Sequence, residues 1–327
     1  MKVIQAKSAG FCYGVQRAVE LAEQTARERG GCVMLGSIIH NAHVVQNLEQ
    51  LGAHQVAGPE EIRPGDTVLI RAHGEKKQVI GHLKDIGAEC VDATCPNVLR
   101  VQQIVAQADA EGRVPIIIGD PNHPEVMGVA SWSARSVVFE GAEALQRWLD
   151  EDPARRELPL TAVAQTTCIR IIWDGAAEIL KKQCTNAKIF DTICNATHKR
   201  QSEAAELASQ VDVMVVVGDR KSANTKHLTE ICSRQCPAVY QIERAEELKR
   251  DFLTGCSVAG LTAGASTPAG IIKEVYTTMS EEIKTMEPTE ESFEEMLEKS
   301  FKTLNTGEKV TGIVTAVGPT EVQVDLG

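Results

Sequence analysis

Val114-Pro115-Ile116-Ile117-Ile118-Gly119-Asp120-Pro121-Asn122-His123-Pro124-Glu125 is an apolar run closed by a glycine and followed by a polar cluster. A short, uninterrupted apolar run of this kind reads as a strand buried on both faces, with the polar residues in the loop at its C-terminal end. Cys95 stands 24 positions before Gly119, within Asp92-Ala93-Thr94-Cys95-Pro96. The interval recurs twice. It separates Cys12 from Gly36 and Cys194 from Gly218, and each of these glycines also closes an apolar run, Cys32 to Gly36 and Val211 to Gly218. Polar clusters follow both, Ser37-Ile38-Ile39-His40-Asn41 and Asp219-Arg220-Lys221-Ser222-Ala223-Asn224. The chain therefore reads as three copies of one unit.

A further apolar run completes each copy. Val68 to Arg71 precedes Ala72-His73-Gly74, Leu160 to Ala164 precedes Gln165-Thr166-Thr167, and Val258 to Leu261 precedes Thr262-Ala263-Gly264-Ala265-Ser266. Helical periodicity follows every one of the three cysteines: Val15, Ala18, Val19 and Ala22, then Val98, Val101, Ile104 and Val105, then Ala204, Ala205, Leu207 and Ala208. Each cysteine thus sits in a strand-to-helix turn. The expected fold is α/β, with three similar units at residues 1–94, 95–193 and 194–280 in a pseudo-threefold trefoil. That arrangement gathers the polar loops at the C-terminal ends of the strands, where open α/β sheets bind ligands.

Composition narrows the class. A chain of 327 residues suits three units of about 80 to 100 residues with sizeable cores. No apolar run approaches the roughly 20 residues of a membrane span, and Met1-Lys2-Val3-Ile4-Gln5 starts a strand instead of a signal region. A cytoplasmic monomer without a membrane partner is expected. In that reducing compartment ten cysteines point to metal binding, catalysis or burial instead of disulfides. Most of the net charge of −11 belongs to the tail, because residues 281–299 hold eight Glu against two Lys. An acidic body with 4% aromatic residues lacks the cationic stripe and stacking platform of a nucleic-acid binder.

Three thiolates without a fourth at a matching position make a poor closed zinc site, which takes four protein ligands. Sulfur ligation suits an iron-sulfur cluster better, and a cubane held by Cys12, Cys95 and Cys194 leaves one iron open to a substrate oxygen. His40, His73 and His123 fall in repeat-matched loops, with Ser222, Asn224 and Ser266 as neutral donors. Such a ring suits a phosphate or diphosphate, helped by helices that begin just after these loops. Glu125 is the only carboxylate at its place in the repeat and is a candidate proton donor, with Thr166 placed to orient or relay.

These motifs, Gly-Phe-Cys at 10–12, Ile-His-Asn at 39–41, Ala-His-Gly at 72–74, Ala-Thr-Cys-Pro at 93–96, His-Pro-Glu at 123–125, Gln-Thr-Thr at 165–167, Ile-Cys-Asn-Ala-Thr at 193–197 and Thr-Ala-Gly-Ala-Ser at 262–266, resemble those of the 4-hydroxy-3-methylbut-2-enyl diphosphate reductase family over about residues 1 to 280. The resemblance implies a 4Fe-4S cluster with one iron not held by cysteine, and an allylic diphosphate substrate whose hydroxyl meets that iron. It implies electrons from ferredoxin or flavodoxin. It assigns the diphosphate to His40, His73, His123, Ser222, Asn224 and Ser266, and proton supply to Glu125 with Thr166. The products implied are isopentenyl and dimethylallyl diphosphate, at the end of the methylerythritol phosphate route. One departure is visible: many members carry Ser-Ser-Asn where this chain has Ser222-Ala223-Asn224, which removes one hydroxyl donor.

A competing expectation is a non-redox 4Fe-4S hydro-lyase, in which the open iron acts as a Lewis acid. It requires carboxylate-binding arginines near the loops, where Arg71 and Arg220 come closest. After Ser280 the chain becomes an acidic helical linker, residues 281–300, with Phe293, Met296 and Leu297 on one face. Residues 301–327 then alternate, with Gly318-Pro319-Thr320 between two strands. They resemble the opening hairpin of an S1-type RNA-binding OB-fold, of which two strands out of five form an incomplete fragment. RNA binding is not expected of this chain.

Overall fold

The structure is a computed structural model and describes residues 2–286, 313–317 and 321–325. The chain opens with β1 (Lys2–Gln5) and α1 (Tyr13–Arg29). A first sheet follows, built from β2 (Cys32–Leu35), β3 (Ala53–Val56), β4 (Thr67–Ile70) and β5 (Glu89–Asp92), with α2 (Ala42–Gln50) and α3 (Lys77–Asp85) between its strands. After α4 (Pro96–Ala110) comes a second sheet of β6 (Val114–Ile118), β7 (Val137–Phe139), β8 (Leu160–Ala164) and β9 (Ala187–Ile189), connected by α5 (Pro124–Ala130), α6 (Ala142–Glu151) and α7 (Arg170–Gln183). After α8 (Asn195–Ala208), the third contains β10 (Val213–Val217), β11 (Val239–Ile242) and β12 (Val258–Ala263), with α9 (Ala223–Ser233) inside it and α10 (Ala269–Met286) after it.

Every pairing in these sheets is parallel, and the strand orders are β3-β2-β4-β5, β7-β6-β8-β9 and β11-β10-β12-β1. The three orders are the same order. In the third sheet the edge position held elsewhere by β5 and β9 is taken by β1, whose Lys2 and Gln5 pair with Val258 and Leu261. This corrects the expected first unit of residues 1–94: its N-terminal strand, read from sequence as a strand, belongs to the sheet of the third unit. Pairing across some 250 residues leaves no local pattern, so nothing in Lys2–Gln5 announces its partner. The chain's first strand thereby closes the last sheet, and each cysteine follows an edge strand: Cys12 after β1, Cys95 after β5, Cys194 after β9.

The inner strands are buried on both faces, so successive residues feed different cores. Met34 packs with the helices around Leu48 and Ala18, while Val33 and Leu35 pack with Val68 and Leu83. Ile116 and Ile118 face Trp173 and Leu145, while Ile117 faces Val98 and Val126. Val213, Val215 and Val217 face Val275, while Met214 and Val216 face Leu228. The glycines that end the inner strands allow their loops to press together: a Cβ at Gly119 would meet the Gln165 Cβ at 2.7 Å, and one at Gly218 would meet the Thr225 Oγ1 at 2.6 Å.

Residues 287–327 form a separate unit. Within it β13 (Ile313–Val317) and β14 (Val322–Asp325) pair antiparallel with an irregularity between Val314 and Ala316, which is the expected hairpin. The expected linker beyond Met286, with Phe293, Met296 and Leu297, and the turn Gly318-Pro319-Thr320 lie outside the described residues. Among the described residues no helix is long and apolar enough to cross a membrane.

Candidate active site

Three kinds of loop, each present once per unit, meet in one cavity. Cys12, Cys95 and Cys194 are the N-cap residues of α1, α4 and α8. A helix N-terminus carries partial positive charge and unpaired N–H groups, so it favours a thiolate. Burial nevertheless pushes the Cys95 thiol up, against the backbone N–H groups of Asn97 and Val98 and with the other two thiols adding to the rise. The Asn97 Nδ2 donates to Cys194 Sγ at 3.3 Å.

The loops after β2, β6 and β10 bring His40, His123 and the pair Ser222 and Asn224 to the same cavity, and those after β4, β8 and β12 bring His73, Thr166 and Ser266. Every residue expected at the site is therefore among its walls. The three imidazoles touch, with ring centroids 4.6 Å apart for His40–His73, 6.0 Å for His40–His123 and 5.4 Å for His73–His123. Burial first, and their mutual repulsion second for His73 and His123, pull these side chains below the ordinary histidine pKa, His123 to about 4 and His73 well below. His40 is also lowered by burial. His123 caps α5, its Nδ1 accepting from the Glu125 N–H at 3.1 Å, which places the ring proton on Nε2.

Five polar atoms of the residues on these walls are buried without a protein partner: His40 Nε2, His73 Nδ1, Asn224 Nδ2, Ser266 Oγ and Arg200 Nη1. Buried polar groups are normally satisfied, so five orphans in one cavity describe the complement of a polar ligand. Ser222 caps α9, and its Oγ accepts from the Thr225 N–H at 3.4 Å, while Ala223 also lines the cavity.

Glu125 lies in the first turn of α5, where Pro124 fixes the entry of the chain. It is 2% exposed. Its Oε1 accepts from the Thr166 N–H at 2.6 Å and its Oε2 pairs with the Thr166 Oγ1 at 2.9 Å. Those bonds favour the carboxylate, but burial outweighs them and pushes the pKa up to about 7. An acid poised at that value can both hold and release a proton near neutral pH.

Residues 3–280 match the family described as LytB protein. The chain belongs to the LytB family. Among LytB relatives, the 4-hydroxy-3-methylbut-2-enyl diphosphate reductase of Caldanaerobacter subterraneus subsp. tengcongensis is 39% identical over 297 residues, covering 89% of this chain and all of that one. The Helicobacter pylori protein of the same name is 39% identical over 84% of this chain and 97% of its own. A solved structure of (E)-4-hydroxy-3-methyl-but-2-enyl diphosphate reductase, the terminal enzyme of the non-mevalonate pathway, aligns with a TM-score of 0.62 at 38% identity, over 86% of this chain and 100% of that one. The reductase structure from Plasmodium falciparum gives a TM-score of 0.80 at 26% identity, over 84% and 87%.

Sequence reasoning missed several walls of this LytB site. Arg200 lines the cavity with the three cysteines and was not singled out. Arg71 and Arg220, which the lyase reading needs for a carboxylate, are engaged by other groups. Arg71 pairs with Glu75 at 2.7 Å, and Arg220 pairs with Glu243 and Glu247. Asn97, Thr167 and Thr197 also line the cavity; Thr167 and Thr197 stand in the quoted Gln-Thr-Thr and Ile-Cys-Asn-Ala-Thr motifs, so a signal for both was present. His227 is structural, its Nδ1 contacting the Thr167 carbonyl at 2.6 Å.

Proposed function

We infer that the chain is a 4-hydroxy-3-methylbut-2-enyl diphosphate reductase, which removes the allylic hydroxyl and gives isopentenyl and dimethylallyl diphosphate at the last step of the non-mevalonate route. The observation that carries this reading is the coexistence, in one cavity, of three cysteine caps, five orphaned polar atoms and a buried acid. The balance requires two electrons and two protons: the C–O bond breaks, the oxygen leaves as water, and a C–H bond forms at one end of the allyl unit.

The donor set fits an iron-sulfur cluster. Cys12, Cys95 and Cys194 are free thiols, and among the described residues the group close enough to hold a single ion is His40, His73 and His123 instead. A Cβ on Gly14 would come within 2.5 Å of the Cys95 Sγ, so the helix leaves clear the space beside that sulfur. When bound, a 4Fe-4S cluster with one iron free of cysteine would supply Lewis acidity at the hydroxyl and single electrons, drawn from a ferredoxin- or flavodoxin-like donor. The chain's own residues do the rest. His40, His73, His123, Ser222, Asn224 and Ser266 bind the diphosphate, and the N-termini of α2, α5 and α9 add favourable dipoles. Glu125, held by Thr166, keeps a proton on the cavity wall until the substrate takes it.

The test is anaerobic purification with iron and sulfide determination and dithionite-driven consumption of the diphosphate. About four irons per chain with turnover is expected, and Cys95→Ser should lose both. Iron without turnover would remove the reductase reading, and absence of iron would remove the cluster.

The histidine shifts carry a second expectation. In the free site the imidazoles are neutral at pH 7, whereas an adjacent diphosphate favours their charged forms and raises their pKa values. Binding should therefore take up protons, and affinity should fall as pH rises through the bound-state values. Calorimetry with inorganic diphosphate in two buffers of different ionisation enthalpy measures this. His73→Asn should reduce the proton count, and equal counts for the two proteins would refute the assignment.

A further inference from the structure

Each helix capped by one of the three cysteines carries an arginine in its second turn: Arg17 five residues after Cys12, Arg100 five after Cys95 and Arg200 six after Cys194. Two of them grip the loop that leads to another cysteine. Arg17 donates from Nη1 to the Thr94 carbonyl at 3.3 Å and from Nη2 to the Asp92 carbonyl at 3.4 Å, just before Cys95. Arg200 donates from Nε to the Ser8 carbonyl at 3.0 Å and from Nη2 to the Gly10 carbonyl at 2.7 Å, just before Cys12. Arg100 lines the recess that also contains Asp191 to Asn195, around Cys194. Two of the three helices thus brace the approach to another cysteine.

Arg200 stands apart from the other two. It is 3% exposed, whereas Arg17 is half-buried and Arg100 is exposed. Its remaining amino group, Nη1, is buried without a partner, and the residue lines the central cavity together with Cys12 and Cys194. One turn further along α8, Glu203 accepts from the Lys7 N–H at 2.7 Å and the Ser8 N–H at 2.8 Å, so the loop before Cys12 is held by both its carbonyls and its amides. A buried guanidinium stays charged, and neutral carbonyls do not compensate a charge taken out of water. Compensation has to come from negative charge nearby. Cys12, Cys194 and Glu203 are the groups whose charge favours its protonated form against the pull of burial.

We propose that Arg200 is a positioning residue of the cluster site that fixes the Cys12 loop through two carbonyls, and that its buried charge favours the reduced cluster. This rests on the cluster reading given above. Reduction by one electron from the external donor adds one negative charge among the three thiolates, and no proton is required. A fixed cation in a low-dielectric wall stabilises that added charge more than water-exposed cations can, and local charge is one of the terms that set cluster potentials.

The experiment is a redox titration of the anaerobically prepared holoprotein, with iron content measured on the same samples. Arg200→Gln should keep its iron while its midpoint falls by at least 59 mV, a tenfold loss in the one-electron reduction equilibrium. Arg200→Lys, which keeps the charge but loses the fork, should stay closer to the parent. Glu203→Gln removes a negative neighbour outside the cavity and should move the midpoint the other way, which keeps the inference testable if Arg200→Gln does not fold or hold iron. Unchanged midpoints in iron-replete Arg200→Gln, or in Glu203→Gln where the first variant fails, would overturn it. A parent protein that binds no iron would overturn the cluster reading and this inference together.

Discussion

Glu125→Gln should lower turnover by roughly 10²- to 10⁴-fold while the iron content stays that of the parent, because it removes the proposed proton donor and leaves the cysteine caps untouched. The substitution keeps shape and hydrogen bonding. A glutamine carbonyl can still accept from the Thr166 N–H, and its amide can still donate to the Thr166 Oγ1, the two contacts that Glu125 makes at 2.6 and 2.9 Å. What is lost is the transferable proton. The same variant carries a stability signature with a defined sign. Burial raises the Glu125 pKa to about 7, above its unfolded value, so the folded state binds more protons between those limits. The stability tied to the neutral acid is fully present below the unfolded pKa and is lost as pH rises through 7, by about 3 kcal/mol if the whole shift is expressed. Glutamine cannot ionise. Glu125→Gln should therefore unfold close to the parent at pH 5 and at a higher temperature than the parent at pH 8. Thermal unfolding at the two pH values, beside single-turnover kinetics, checks both arms. Undiminished turnover would remove Glu125 as the proton source, and a pH-independent difference in unfolding would remove the buried neutral acid.

The parts of this molecule that could be read from sequence are those whose cause is local. Ile116 to Ile118 and Val213 to Val217 are unbroken apolar runs because both faces of an inner strand are covered, and the polar loops after them follow from strand ends in an α/β sheet. Edge strands are harder. Ala53–Val56 and Glu89–Asp92 are half exposed and read as ordinary mixed sequence. The destination of β1 was hidden for a different reason: its partner lies at the other end of the chain, and only the threefold strand order shows that Lys2–Gln5 fills the place of β5 and β9.

The site divides in the same way. Cys12, Cys95 and Cys194 were visible because a repeat marks them, and the histidine loops because they share a place in it. Arg200 escaped because its role depends on contact with Ser8 and Gly10, 190 residues away or more, and an arginine on a helix is unremarkable until its burial is known. Repetition reveals what the units have in common. The features that distinguish them, the lone acid at Glu125 aside, are set by contacts between units.

Gly14→Ala should separate fold from cofactor more sharply than any change at a cysteine. Gly14 is the second residue of α1. A methyl group there would stand 2.5 Å from the Cys95 Sγ and 3.2 Å from the Cys95 Cβ, so the sulfur must move. Overpacking of this kind costs about 1 to 3 kcal/mol, and where the displaced ligand bears it, cluster affinity falls by roughly 5- to 150-fold. Without a cluster the thiol can rotate aside, and the exchange of glycine for alanine in a helix then acts in the opposite direction, favouring the fold by up to about 1 kcal/mol. Iron retention and stability of the cluster-free chain should thus move in opposite senses. Gly81→Ala in α3 supplies the comparison, since a Cβ there meets nothing within 4 Å. It should bring the helix gain without loss of iron. Iron content after gel filtration and thermal unfolding of both variants decide the matter: equal retention of iron by Gly14→Ala and Gly81→Ala would mean that the Cys95 sulfur does not occupy this position when the cluster is bound.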